Sequence, residues 1–162
     1  MLYRRFRFPF GLFLPLVFLA PGQASFAQDI SSPQLTARER TMMAQAYSTE
    51  KLWQWQKRLN LNDWKISVMV VRSSDLKPKT LGNIHWDGDK KTAVIRVLDP
   101  ADYKLQKQAM LDDMEFTVVH ELIHLELSPV LSPLQRNDAN REEEEHAVNH
   151  MAQALLDLDR HK

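Results

Sequence analysis

The first long periodic stretch of the chain runs from Thr36 to about Leu59. It lacks Pro and Gly, and its apolar residues recur every three to four positions, which is the spacing of one helix face. The pattern then changes to alternation between Trp64 and Val71, in a segment rich in β-branched residues. These two patterns predict an N-terminal helix followed by a strand with one buried face.

Two further apolar segments, LGNIHW and KTAVIRVL, flank the dipeptide Asp87-Gly88. Because Gly readily takes positive φ, this dipeptide predicts a turn and an antiparallel hairpin. We expect the second arm, Thr92–Leu98, to be an edge strand that can pair with an extended peptide. Asp99-Pro100 is expected to end the sheet, because Pro cannot donate to a β ladder.

Two helices are predicted after the sheet. The first covers Met114–Leu127, with Asp112 or Asp113 near its cap and Ser128-Pro129 as its end. Apart from a short polar arc, this helix is strongly apolar, which is typical of an element that packs into a core.

The last helix is predicted to begin at a capping box formed by Asn140 and Glu143, and to run to about Asp159. Its buried stripe is predicted to comprise Val148, Met151, Ala152 and Leu155. Together, the segments predict an α+β fold in a single domain. This domain has an N-terminal helix, a small twisted sheet of three or four strands, and two helices across one face.

Residues 1–27 differ in composition from the rest of the chain. Three arginines precede an apolar run from Phe8 to Ala20, and small residues follow, with Ser25 and Ala27 at the −3 and −1 positions of a cleavage site. This layout predicts a cleaved signal peptide over 1–27 and a catalytic domain over 28–162. It also predicts a periplasmic or secreted protein with no stable membrane anchor after cleavage.

Composition narrows the classes of function. Residues 1–27 contain three of the 21 basic residues and none of the 21 acidic ones, so residues 28–162 carry a net charge of about −3. We therefore expect no nucleic acid partner, since binding to nucleic acid calls for a basic face. The chain has no cysteine, which excludes disulfides, thiolate metal ligands and lipid attachment through sulfur.

The strongest functional signal is the sequence HELIH. His120 and His124 are one turn apart on a helix, so both imidazoles can reach one ion. Glu121 projects about 100° from His120, beside such an ion, where it can accept a proton from a metal-bound water. Placing two histidines on a largely apolar helix is costly unless a partner satisfies them.

A catalytic zinc site usually needs a third protein ligand. The family that uses a histidine six residues after the second one is excluded, because Val130 occupies that position. The remaining candidates lie in the segment EEEEHAVNH. Glu145 shares the helix face of the buried stripe and Glu144 is nearly as well placed, while His146 and His150 are further alternatives.

HELIH followed by EHAVNHMA resembles the gluzincin metallopeptidases, in which a downstream helix supplies a glutamate within the pattern E-x-x-x-D. Glu145 matches that glutamate, and Asn149 stands where the family has an acid that orients a ligating histidine. The whole domain is similar to small bacterial and phage-type metallopeptidases of minimal gluzincin build. The resemblance implies a zincin-like domain in which Zn²⁺ is bound by His120, His124 and Glu145. It also implies that Glu121 acts as the general base.

The function expected from these features is hydrolysis of a peptide or protein substrate by an exported zinc metallopeptidase. Tyr103 and His85 are candidates, by residue type, for stabilising the oxyanion. Two alternatives stay open: a zinc amidase that acts on cell-wall peptides, and a catalytically degenerate metallopeptidase-like module that binds a partner. Glu121 argues against the second alternative, because a binding module needs no general base.

Overall fold

The computed structural model describes residues 35–134 and 137–161 of the 162-residue chain. The signal peptide predicted for 1–27, and the domain start predicted at residue 28, lie outside the described residues. The described part contains three α-helices and one three-stranded mixed sheet, which confirms the α+β fold. In chain order the elements are α1 (Ala37–Arg58), β1 (Lys65–Val71), β2 (Gly82–Asp87), β3 (Thr92–Leu98), α2 (Lys107–Leu131) and α3 (Asp138–Arg160).

Helix α1 and strand β1 lie where the periodicity predicts them. α1 begins with a capping box, in which the Thr36 hydroxyl accepts a hydrogen bond from the Glu39 N–H (3.2 Å) and the Glu39 carboxylate accepts one from the Thr36 N–H (2.7 Å). β1 alternates as predicted, with Val68 buried between the exposed Ser67 and Met69. Both elements therefore follow from the local sequence pattern.

The strand order is β1–β3–β2, so β3 is the central strand, and the prediction that Thr92–Leu98 forms an edge is wrong. β3 pairs in parallel with β1 and antiparallel with β2. It is also the most buried strand, with Ala93, Ile95, Val97 and Leu98 buried, which suits a strand that has neighbours on both sides. The edge strands are therefore β1 and β2.

The turn between β2 and β3 confirms the hairpin but not the reason given for it. Residues 88–91 connect the two strands, and positive φ occurs at Lys91 (48°) rather than at Gly88. The Asp87 side chain accepts a hydrogen bond from the Lys90 N–H (3.0 Å) across the turn. The turn therefore depends on the aspartate, whose side chain satisfies a main-chain donor.

Helix α2 starts seven residues before Met114, earlier than predicted. Asp112 and Asp113 therefore lie inside the helix rather than at its cap. The physical reason is packing against α1, since Met110 and Met114 form a second small core cluster with Ala44. This burial stabilises the first turns of α2, whose own sequence is mostly polar.

Helix α2 also continues through Ser128-Pro129, which was predicted to end it. Pro129 lies in the last turn, where the N–H that it lacks removes a single hydrogen bond. The turn closes after it, because the Ser132 N–H donates to the Ser128 carbonyl (2.9 Å). Only two residues of α2 follow Pro129, so the disruption is confined to the end of the helix.

Helix α3 begins earlier than predicted, at an N-cap formed by Asn137. The Asn137 side chain accepts a hydrogen bond from the Asn140 N–H (2.9 Å), and the Asn140 side chain accepts one from the Asn137 N–H (2.8 Å). Asn140 thus lies in the first turn, and the capping box predicted with Glu143 is wrong. Asn137 offers the same capping chemistry three residues earlier.

One hydrophobic core joins all three helices to one face of the sheet, and it includes Leu52, Ile95, Val118, Leu122 and Val148. On α3 the buried stripe is Val148, Ala152 and Leu156, with Leu155 half-buried. Met151 is 39 % exposed, so the prediction that it is buried is wrong. None of the helices in the described part of the chain has the length and apolar character needed to cross a bilayer.

Candidate metal centre

The polar arc of α2 faces a cleft of about 680 Å³, lined in part by Thr117, His120, Glu121 and His124. The apolar residues of the same helix segment are buried in the core, at Val118, Leu122 and Leu125. Because the core holds the helix, the polar side chains are presented to the cleft at fixed spacings. The cleft is where the histidine pair predicted from the sequence can meet residues of α3.

Three potential ligand atoms converge in this cleft. The Nε2 atoms of His120 and His124 are 3.0 Å apart. The carboxylate of Glu145, on α3, lies 3.3 Å from the first Nε2 atom and 3.4 Å from the second. One ligand atom from each of the three residues falls within 4.8 Å of the others, so this group could hold a metal ion.

The other ring nitrogen of each histidine contacts an acceptor on α3. His120 Nδ1 lies 3.1 Å from Asn149 Oδ1, and His124 Nδ1 lies 2.9 Å from Glu144 Oε1. Each histidine therefore donates from Nδ1–H and keeps its lone pair on Nε2. α3 thus selects the tautomer that metal binding needs and orients both rings.

In these tautomers the three converging atoms are all acceptors. Such a group is unfavourable unless a cation or additional protons lie between its members. Burial lowers the pKa of His120, and the nearby His124 ring lowers it further, so protonation of this imidazole is disfavoured. A divalent cation would satisfy all three acceptors, and two imidazoles with one carboxylate form a known catalytic donor set. The residues present therefore fit a metal ion.

Glu144 and Glu145 make different contacts. Glu145 reaches both Nε2 atoms although its side chain is 57 % exposed, so the prediction that it lies on the buried face with Val148 is wrong. Glu144 is the more buried residue, with its side chain 11 % exposed, but its carboxylate contacts Nδ1 of His124. Glu145 therefore reaches the centre from the rim of the cleft, and burial does not identify the ligand.

Glu121 lies beside the centre in poorly solvated surroundings. The residue is 7 % exposed and lines the cleft. Burial raises the pKa of Glu121 to about 8, and the Glu145 carboxylate contributes to the increase. A carboxyl group in such surroundings can exchange a proton with a molecule bound in the cleft.

Strand β2 borders the cleft from Gly82 to Trp86. The Leu98 N–H donates to the Leu81 carbonyl (3.0 Å), which shows that the odd-numbered residues of β2 bond to β3. By the alternation of an antiparallel ladder, the N–H and C=O groups of Gly82, Ile84 and Trp86 point away from β3. They give the cleft a row of main-chain donors and acceptors.

Strand β2 approaches α2 closely at Gly82. A Cβ atom at this position would lie 2.3 Å from Thr117 Cγ2 and 2.6 Å from the Arg96 carbonyl oxygen, so only glycine fits. Thr117 is one helical turn before His120. The contact therefore holds the edge strand at a short distance from the histidine pair.

The two residues suggested for oxyanion stabilisation have different surroundings. Tyr103 donates its hydroxyl hydrogen to Asp113 Oδ2 (2.8 Å), and it is Asp113 that lines the cleft. His85 borders the cleft, but strand alternation directs its side chain to the sheet face opposite that of Gly82. The contacts of Tyr103 and His85 therefore give no specific reason to assign either side chain to oxyanion stabilisation.

Sequence reasoning missed Arg141 and Asn83, which also line the cleft. Arg141 precedes Glu145 by four residues on α3, and this helical spacing could have identified it. Asn83 has a buried Oδ1 atom without a hydrogen-bond partner among the described residues, and no pattern in the sequence indicated it. The Arg141 guanidinium can donate hydrogen bonds to a molecule in the cleft, whereas strand alternation directs Asn83 to the same sheet face as His85.

Comparison of the chain with family models, with curated proteins and with solved structures gave no match. The function of the centre is therefore inferred from its own residues. These are two imidazoles whose Nε2 atoms converge, a carboxylate that meets both, and a second, buried carboxyl group next to them.

Proposed function

We propose that this protein is a zinc-dependent metallopeptidase of the gluzincin type, built on a minimal zincin-like domain. The observation that carries the proposal is the convergence of one ligand atom each from His120, His124 and Glu145 within 4.8 Å. Glu121 lies beside this group in the same cleft. Two histidines one turn apart, a carboxylate from a later helix and an adjacent glutamate are the groups that metal-assisted hydrolysis uses.

Zinc suits this donor set better than magnesium or calcium does. Imidazole and carboxylate are ligands of catalytic zinc, whereas magnesium and calcium prefer sites made of oxygen atoms alone. Three protein ligands leave one coordination position for water or substrate. When bound, zinc would polarise a peptide carbonyl and lower the pKa of a water molecule.

The residues of the cleft would then have separate tasks in hydrolysis. The outward main-chain groups of Ile84 and Trp86 bind an extended peptide by strand addition, so β2 takes the role expected of Thr92–Leu98. A cation held by the three ligands would lower the pKa of the neighbouring Glu121 again, so that its carboxylate could accept the proton of the attacking water and pass it to the leaving amine. Arg141 supplies hydrogen-bond donors for the negative charge that develops on the carbonyl oxygen.

The full chain, purified without added metal, should contain about one zinc ion and should hydrolyse casein. A chelator should abolish this activity and added Zn²⁺ should restore it, because the ligand atoms alone cannot activate water. Zinc content by atomic spectroscopy and peptide release are the measurements. Hydrolysis of purified peptidoglycan but not of casein would contradict the peptidase and support the amidase, and bound metal without either activity would support the binding module.

Glu144→Gln should weaken zinc binding about 10- to 100-fold without abolishing it. Glutamine keeps an acceptor near His124 Nδ1, but it lacks the negative charge that raises the basicity of the imidazole. Competition with a chromophoric chelator measures the affinity. Glu143→Gln, at the exposed position one residue earlier, is the control and should leave the affinity unchanged. Equal affinities for Glu144→Gln and the wild type would rule out this orienting role.

A further inference from the structure

A second cleft, of about 490 Å³, opens next to the candidate metal centre. Trp86 lines both clefts, so the second continues the first along strand β2. Its other apolar lining residues include Leu61, Trp64 and Pro129. Pro129 takes part because α2 continues beyond Ser128, which the sequence did not predict. The two clefts therefore adjoin at Trp86 of the edge strand.

The position of the second cleft follows from the course of β2 beside α2. Gly82 lies against Thr117 at one end, and Trp86 borders the same cleft as Ser128 and Ser132 at the other. These serines follow His124 by four and eight residues. At 1.5 Å per residue of helix, they lie roughly 6–12 Å past the histidine pair, which is the length of about two to four residues of an extended peptide.

The lining of the second cleft favours an apolar ligand. Trp86 is 39 % exposed and Trp64 is half-buried, so aromatic surface is accessible. The rim carries Asp63 and Lys91, which form an ion pair with each other, and the exposed Glu126. The charges of this rim sum to a negative value, which disfavours an acidic side chain.

We propose that the second cleft binds an aromatic or large aliphatic side chain of the peptide substrate, two to four residues from the bond that is hydrolysed. The proposal rests on the proposed metallopeptidase function and adds a substrate preference to it. Because both clefts border Trp86, one peptide that pairs with β2 can reach both of them. Stacking on Trp86 supplies the affinity, and Glu126 excludes acidic residues.

The test uses peptides with one cleavable bond and Phe, Ala or Glu at each position up to four residues from it. At one position two to four residues from the bond, we expect kcat/KM to be about 10-fold higher for Phe than for Ala, and lowest for Glu. Trp86→Ala should bring the ratio of Phe to Ala close to 1. Ser132→Trp, which fills the cleft from an exposed position, should do the same independently. Leu134→Trp, exposed and outside the cleft, should leave the ratio unchanged.

The outcomes separate this inference from the proposed function. Hydrolysis without a preference for Phe, or with a preference that both Trp86→Ala and Ser132→Trp retain, overturns the second cleft as a binding site and leaves the peptidase intact. If no peptide is hydrolysed, the peptidase proposal fails, and binding of fluorescently labelled Phe and Ala peptides tests the cleft alone. If the Phe peptide binds more tightly than the Ala peptide, and Ser132→Trp weakens the binding of the Phe peptide, the result supports the cleft as a binding site. Equal binding of the two peptides overturns it.

Discussion

Glu121→Gln should reduce peptide hydrolysis by about 10²- to 10⁴-fold while leaving the zinc content of the protein unchanged. Glutamine has nearly the shape of glutamate but cannot take the proton of the attacking water. Glu121 is not one of the three residues whose ligand atoms converge, so the substitution removes no metal ligand. Hydrolysis rates and zinc content, measured on the same preparation, check both parts of this expectation.

Loss of activity through misfolding can be separated from loss of the base. Glu121 is 7 % exposed, and burying a charged carboxylate is costly, so a neutral amide should not lower the midpoint of thermal unfolding. Glu142→Gln, at an exposed position on α3, is the matched control and should keep full activity. Hydrolysis by Glu121→Gln near the wild-type rate would exclude Glu121 as the general base. It would not contradict the metal centre, whose ligands this substitution does not change.

Features that depend on short-range spacing could be predicted from the sequence. Three such features are the periodicity of α1, the alternation of β1 and the spacing of His120 and His124. Each depends on residues that lie only a few positions apart in the chain. α1 and β1 lie at the predicted positions, and the two Nε2 atoms meet at 3.0 Å. At this range, neighbours in the chain decide which side chains share a face.

Features that depend on contacts between distant segments could not be predicted in this way. β3 is central because β1 pairs with it in parallel, and nothing within Thr92–Leu98 identifies that partner. α2 begins early because Met110 packs with Ala44 of α1, a contact between segments that lie far apart in the chain. The prediction that β3 is an edge strand therefore assigned the wrong strand to the edge of the cleft. The prediction that α2 starts at Met114 made the helix that carries both histidines too short.

Within the candidate site, too, the different contacts of Glu144 and Glu145 depend on packing between distant segments and could not be predicted from local sequence. Adjacent residues on a helix project about 100° apart, so one carboxylate reaches the Nε2 side of the rings and the other the Nδ1 side. Which residue does which depends on the rotation of α3 about its axis. Val148 and Ala152 set that rotation by packing into the core. The sequence therefore indicated both acids but could not separate the candidate ligand from the orienting residue.

His124→Ala should remove most of the bound zinc while leaving the fold intact. Zinc sites with four protein ligands bind with about 10–16 kcal/mol, so one ligand contributes roughly 3–4 kcal/mol, or on the order of 100- to 1,000-fold in affinity. The substitution also removes the contact between His124 Nδ1 and Glu144, which favours the upper end of this range. Alanine is a better helix former than histidine, so the helical circular dichroism signal of α2 should be retained.

His150→Ala is the matched control for His124→Ala, because α3 carries a second histidine pair with the same spacing. The rings of His146 and His150 are 4.1 Å apart between centroids, and both residues are exposed. Each substitution deletes one imidazole from such a pair, so a difference in zinc content between the variants locates the metal. Retention of zinc by His124→Ala, or equal loss from both variants, would contradict a centre formed by His120, His124 and Glu145. Loss from His124→Ala alone would separate that centre from adventitious binding to surface histidines.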